Sequence, residues 1–198
     1  CGAAGTALDV TVSDVAPRVG LSAAETVDEG APFTLRIDPP TDPGDDTFVA
    51  CTIDWGDGMI ETFEAPPAQA SGYVPGLSAS HVYPDGPAEY DVRLTITDEE
   101  GDHADVARHA VEVRNVAPSI LRLDCPHSVR MHEPAAMSAL ASDPGVDELH
   151  YEWDFGDGSA PVGGPGMTEV SYVYAVDGQF RVTLTVTDED GASASASG

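Results

Sequence analysis

Three short motifs occur twice in this chain of 198 residues, in the same order and at nearly one spacing. "VAPRV" at 15–19 returns as "VAPSI" at 116–120, "DWGDG" at 54–58 as "DFGDG" at 154–158, and "TDEEG" at 97–101 as "TDEDG" at 187–191. Between the first residues of each pair the offsets are 101, 100 and 90. Ordered self-similarity of this kind is the mark of a tandem repeat, here of two homologous units. The shorter last offset falls where the first unit carries the longer loop "PPAQASGYVPGLSAS". Any fold assigned to the chain must therefore close twice, in about 95 residues each time.

Within each unit the hydrophobic period is two. Tyr90, Val92, Leu94 and Ile96 alternate with Asp91, Arg93, Thr95 and Thr97, and Phe180, Val182, Leu184 and Val186 alternate with Arg181, Thr183, Thr185 and Thr187. Phe33, Leu35 and Ile37 form another such run, answered more weakly by Met137, Ala139 and Ala141; Val49, Cys51, Ile53 and Trp55 are answered by Leu149, Tyr151, Trp153 and Phe155. Strands with one buried and one solvated face have this pattern. No segment carries a helical stripe, and Gly and Pro break the chain every ten residues or so. The expected fold class is all-β: two tandem immunoglobulin-like β-sandwiches of about seven short strands each. The expected boundaries are an N-terminal strand segment over 1–15, a first domain over 16–115 and a second over 116–198.

Charge narrows the function. Thirty-five acidic residues face eight basic ones, a formal net charge of −27, and all eight basic residues are Arg. Nucleic acid and anionic membrane surfaces require basic patches, so both are excluded as partners. No apolar run approaches the ~18 residues of a membrane helix, which argues against membrane insertion. Self-repulsion of this size suits a salt-screened or Ca²⁺-rich exterior; a coding bias against Lys explains the composition equally well. Three cysteines cannot form a closed disulfide set. Cys51 shares the phase of Ile53 and Trp55 and is expected to be a buried thiol. Cys1 fits either a lipid-modified N-terminus or the start of a fragment.

The motifs "WDFGDG" (153–158), "YVYAVDGQFRVTLTVTDEDG" (172–191) and "SDP" (142–144) make the chain resemble tandem PKD (polycystic kidney disease) domains. In the first unit "IDWGDG" (53–58), "HVYPDGPAEYDVRLTITDEEG" (81–101) and "TDP" (41–43) carry the same resemblance, with Ile53 where the family usually has Trp. It covers nearly all of 15–191. It implies an immunoglobulin-like extracellular module for adhesion, spacing or surface recognition, and it does not imply catalysis.

The duplicated acids have a structural reading. Glycines flanking Asp suit a tight turn at positive φ, with the Asp side chain capping backbone N–H groups. Trp55, Asp57, Trp153, Phe155 and Asp157 are accordingly expected to be landmarks of the sandwich, the rings in the core and the aspartates in the turns. A carboxylate enzyme would need two acids opposed across a cleft. Adjacent strand residues point to opposite faces, so Asp154 does not partner its neighbours and no catalytic residue is assigned. No cofactor is required, but Ca²⁺ stays open: it takes six to eight oxygens, and two acidic loops recur in each unit. The resemblance implies calcium near the domain ends of some family members, and among these loops Asp42, Asp45, Asp143 and Asp147 are the ligand candidates. The six histidines show no zinc spacing, and His81 matches Tyr172, which favours packing over ligation.

The ends complete the expectation. "TALDVTVSDVAP" at 6–17 matches "RHAVEVRNVAP" at 108–118, the last strand of the first unit. Leu8, Val10 and Val12 thus form a last strand with no domain before it, while the second unit reaches "GASASASG" with no last strand in view. Two readings follow: a cut from a longer surface array, or donor-strand exchange in which 6–14 of one copy completes the second unit of another, head to tail. The expected partners are other copies or neighbouring repeats, with a surface protein or carbohydrate as further candidates, and the expected location is extracellular or at the cell surface. An accessory module that carries a secreted enzyme to its substrate is the alternative from a different class.

Overall fold

A computed structural model of the protein describes residues 14–42, 47–64 and 76–198. Among these residues every regular element is a strand. In chain order they are β1 (Leu21–Ser22), β2 (Thr26–Asp28), β3 (Pro32–Ile37), β4 (Ala50–Asp54), β5 (Ile60–Glu64), β6 (Leu77–Val82), β7 (Ala88–Thr97) and β8 (Asp102–Arg114). The second repeat supplies β9 (Ser119–Asp124), β10 (Pro134–Ser142), β11 (His150–Asp154), β12 (Val162–Pro165), β13 (Glu169–Val173), β14 (Thr183–Thr187) and β15 (Ser193–Ser197).

The strands form two sheets per repeat. In the first repeat these run β1-β3-β6 and β2-β8-β7-β4-β5; in the second, β13-β10-β9 and β12-β11-β14-β15. Nearly all pairings are antiparallel, as hairpin connections demand. The exception is β2, which runs parallel to the end of β8 with Val27 opposite Val113. By packing, the described residues divide into two compact units. One comprises those within Cys1–Ala23, Leu35–Ala79 and Asp91–Ala110, the other those within Ala24–Thr34, Ser80–Tyr90 and Val111–Gly198.

The core of the first unit follows the period-two pattern. Leu35 and Ile37 of β3, Ile53 of β4, Trp55 just after it, and Val92, Leu94 and Ile96 of β7 are all buried. Burying side chains of this size stabilises by about 1.5–3 kcal/mol each. Cys51 is a half-buried free thiol rather than a fully buried one, and Val49 is exposed. The β4 alternation therefore starts at Cys51, because Val49 precedes the strand. Burial pushes the Cys51 thiol up to about 11, so it stays protonated and unreactive at neutral pH.

In the second unit Tyr151 and Trp153 of β11, Phe155, and Val182, Leu184 and Val186 close the core with Ala135 and Met137 of β10. The Trp153 indole N–H donates to the Met167 carbonyl at 3.0 Å, so its one polar atom is satisfied. Tyr174 stacks on Phe180 with centroids 4.7 Å apart and meets Tyr172 edge-on at 4.9 Å. The same unit holds the matching rings of the first repeat, with Tyr83 stacked on Tyr90 at 4.7 Å and edge-on to His81 at 4.6 Å. His81 thus does the packing work of Tyr172.

One strand stands where sequence patterning places none. Ser193–Ser197 pairs antiparallel with β14 along its whole length, from Thr183 opposite Ser197 to Thr187 opposite Ser193. Its Ser-Ala alternation keeps the period of two but offers no large apolar side chain, so hydrophobicity gives no signal. By the 90-residue offset it matches the first part of β8. The later part of β8, with buried Val111 and Val113, is the stretch that residues 6–14 resemble.

Glycines of the GDG turns carry unequal constraints. Gly156 has φ 75°, and a Cβ there would lie 2.3 Å from the Arg181 carbonyl oxygen. Gly158 has φ 85° but faces open space. Gly156→Ala should therefore cost roughly 2–4 kcal/mol, and Gly158→Ala only about 1 kcal/mol. Denaturant unfolding of the two variants checks this; equal losses would mean that the turn relaxes away from Arg181.

Candidate functional site

The duplicated acids serve turns. Asp54 Oδ1 accepts from Gly56 N and Asp57 Oδ1 from Met59 N, both at 3.0 Å. In the second repeat Asp154 Oδ1 accepts from Gly156 N at 2.9 Å and Asp157 Oδ1 from Ser159 N at 3.0 Å. Each aspartate closes its own chain two residues on, the side-chain mimic of a backbone turn. Trp55, Trp153 and Phe155 are buried beside them. The second Asp157 oxygen accepts a 2.6 Å hydrogen bond from the Tyr172 hydroxyl, whose ring stacks on Phe155 with centroids 3.8 Å apart. The Tyr172 and Ser159 hydroxyls hold the Asp157 carboxyl below the usual carboxylate range.

A different set of acids is gathered with some of its oxygens left without a partner. One carboxylate oxygen from each of Glu29, Asp143 and Asp147 lies within 4.8 Å of the others, and Asp147 makes a second cluster of the same kind with Asp85 and Glu189. Glu29 is 1% exposed, yet it is firmly held: Oε2 accepts from Gly86 N and Oε1 from Val116 N, each at 2.8 Å. Asp143 Oδ1 accepts from Gly145 N at 2.9 Å. The remaining oxygens have nothing: Asp143 Oδ2 and both oxygens of Asp147 are shut off from solvent with no hydrogen-bond partner.

Local backbone forces this crowding. Asp143–Pro144–Gly145 forms a turn, and Val146 N donates to the Pro84 carbonyl at 3.0 Å, which seats the loop beside Glu29. A Cβ on Gly145 would lie 2.6 Å from Asp147 Oδ2 and 2.8 Å from Glu29 Oε2, so only glycine lets the carboxylates approach. Gly30, at φ 67°, likewise has the Pro144 carbonyl where a Cβ would stand. Two like charges at this spacing repel by about 3–4 kcal/mol at an effective dielectric of ~20. Burial, then the charges of Glu29, Asp143, Asp85 and Asp188, push the Asp147 carboxyl up to about 7.

A third acidic group, Asp14, Asp98 and His103, is already balanced. The His103 ring lies 2.6 Å from Asp98 Oδ2 and 3.4 Å from Asp14 Oδ2. Burial pushes the Asp98 carboxyl up, but the backbone N–H groups of Gly101 and Glu100, with His103, outweigh it and hold Asp98 below its ordinary value.

Of the four ligand candidates picked out in the sequence, the structure brings Asp143 and Asp147 together. Asp42 joins no acidic cluster among the described residues, and it sits beside the Arg18–Thr41 bridge. Asp45 lies outside the described residues, as do Leu8, Val10 and Val12. Glu29, Asp85 and Glu189 escaped the sequence because no linear spacing links them to Asp147. The one available signal was the acid-glycine pair Glu29–Gly30 just ahead of a core strand.

Paired sheets with Trp153, Phe155 and Asp157 at the strand-to-turn junction define an immunoglobulin-like, all-β module. Residues 115–198 match the PKD domain family, a non-catalytic module type. Among solved structures the chain is similar to the PKD domain of an M14-like peptidase from a Thermoplasmatales archaeon, at 20% identity and a TM-score of 0.41 over 52% of this chain and 99% of that one. It is also similar to a two-domain fibronectin type III segment of chicken tenascin, at 17% identity and a TM-score of 0.49 over 92% and 97%. No helix among the described residues is long and apolar enough to cross a membrane.

The Asp157–Tyr172 bond makes a pH prediction. Its folded pKa lies below the unfolded ~3.9, so its stabilisation is present above that value and is lost as pH falls through the folded pKa. Tyr172→Phe should therefore flatten the acid limb of a melting-temperature–pH profile below about pH 4. A variant profile parallel to wild type would remove Tyr172 as the cause.

Proposed function

We propose that the chain is a non-enzymatic structural or adhesive part of an extracellular protein, built from PKD-type domains over 16–115 and 116–198. The observation that carries this reading is the fate of the duplicated acids. Asp54, Asp57, Asp154 and Asp157 each cap a backbone N–H of their own turn, so the landmark motif is spent on shape. A surplus of carboxylates suits a surface that resists non-specific association.

The finer proposal is strand complementation between copies. In the first repeat β2 pairs with the end of β8. Its counterpart in the second repeat is Ser128–Arg130, where Val129 and nearby Met131 are exposed. A strand with valines two apart would cover them and extend the sheet, and exposed strand edges favour such addition. Val10 and Val12 have that spacing and match Val111 and Val113 in sequence. The contact is head-to-tail, so it would propagate into a filament.

Deleting residues 1–14 should convert a concentration-dependent assembly into a monomer by sedimentation or negative-stain imaging. Adding back a peptide of residues 6–14 should raise the melting temperature of the truncated protein. An intact chain that stays monomeric would remove the filament and leave neighbouring repeats of a longer array as the source of the strand.

A further inference from the structure

We propose that His103 is a proton-operated latch. With its imidazole charged it holds the segment leading into the first domain on the β7–β8 turn, and with the imidazole neutral it releases that segment. The inference goes beyond the proposed function and does not require strand exchange.

The ring holds its two partners unequally. His103 Nε2 lies 2.6 Å from Asp98 Oδ2 and 3.4 Å from Asp14 Oδ2. One ring nitrogen carries at most one hydrogen, and the shorter distance commits it to Asp98. Asp14 Oδ1 accepts from Val15 N at 2.7 Å, so Oδ2 is the oxygen turned to the ring. The Asp98–His103 hydrogen bond therefore survives in either charge state, whereas the hold on Asp14 is Coulombic and needs the imidazolium. Without that charge Asp14 and Asp98, which offer oxygens within 4.8 Å of each other, repel.

Nothing else at the turn supplies a positive charge. The groups facing it are Asp14 from the lead-in segment, Asp98, Glu99 and Glu100 from the turn, and Asp102 at the start of β8. All are acids, and the arginine ion pairs among the described residues lie elsewhere. Burial, then the charges of Glu99, Asp98 and Asp14, hold the Glu100 carboxyl above its ordinary value.

The second repeat makes the equivalent contact without a titrating base. The 101-residue offset sets Asn115 in the place of Asp14, and the 90-residue offset sets Asp188 in the place of Asp98 and Ser193 in that of His103. There the Asn115 amide donates directly to Asp188 Oδ2 at 3.2 Å. Asp98 and Asp188 are each 4% exposed, so both repeats keep a buried carboxylate to receive the lead-in segment. An amide needs no counter-charge, an aspartate does, and the imidazole stands in the repeat that has the aspartate. Imidazoles ordinarily change charge between about pH 5 and 8. The latch thus stabilises where His103 is protonated, and its contribution is lost as pH rises through that range.

The test is the effect of Asp14→Asn on the melting temperature at about pH 5.5 and about pH 8.5, with chelator present so that only protons vary. With His103 in place the substitution should lower the melting temperature by roughly 1–3 °C at the lower pH, where it removes an attraction. At the higher pH, where it removes a repulsion, it should raise it. In a His103→Gln background it should raise it at both. Asn115→Asp, which sets a carboxylate against Asp188 with no imidazole, should lower it at both. Amide exchange at Arg18, whose N–H donates to the Thr41 carbonyl at 2.8 Å, reads the lead-in segment directly. Its protection, corrected for the intrinsic rate, should fall about three- to tenfold between the two pH values in wild type and stay level in Asp14→Asn. An Asp14→Asn shift of the same sign at both pH values with His103 present, or wild-type Arg18 protection unchanged between them, would each overturn the latch.

Discussion

A buried carboxylate organises the acidic site. Glu29 is almost wholly withdrawn from water, and it is retained because two backbone N–H groups, from Gly86 and Val116, donate to it at 2.8 Å. Its own N–H donates to the Arg114 carbonyl. Three stretches of chain separated by 57 and 87 residues are thereby fixed around one side chain. Charge-assisted hydrogen bonds of this kind are roughly twice as strong as neutral ones. They satisfy Glu29 without neutralising it. The negative charge that remains bears on whatever packs next to it, and the loop that does so carries Asp143 and Asp147.

The two repeats solve equivalent positions with different residues, and the physics explains each exchange. Gly30 and His132 both have positive φ, at 67° and 66°, each two residues before the first residue of a core strand. Glycine is required in the first case because the Pro144 carbonyl occupies the Cβ position; histidine is among the residues that tolerate this conformation. Ile53 and Trp153 are both fully buried. The larger indole brings a polar N–H, and the Met167 carbonyl accepts from it, which Ile53 does not require. The pair His81 and Tyr172 shows the same economy, since each presents a ring edge-on to a buried tyrosine.

Much of this was legible in the sequence, for a definite reason. A period of two with large apolar residues reports directly on burial, so Leu94, Ile96, Leu184 and Val186 declare their faces. Repeated glycines around aspartate report on backbone conformation, and all four GDG glycines have positive φ. What stayed hidden lacked a local signature. The strand Ser193–Ser197 has side chains too small to register as hydrophobic. Glu29 acts through partners that are distant in sequence, and the Asp98–His103 pair depends on a turn bringing residues together. In a chain with thirty-five acids, the five that converge cannot be told from the rest by composition.

The net charge of −27 bears on how such a site persists. Repulsion spread over a surface is screened within ~8 Å at physiological ionic strength, so most of these acids cost little. Screening is weaker at oxygens shut off from solvent, as Asp143 Oδ2 and both Asp147 oxygens are, so the charges around Asp147 are felt more strongly than those on the open surface. Only a species held within the cluster can cancel them, either a proton or a cation. A proton neutralises one carboxylate and leaves Glu29 and Asp143 to repel each other.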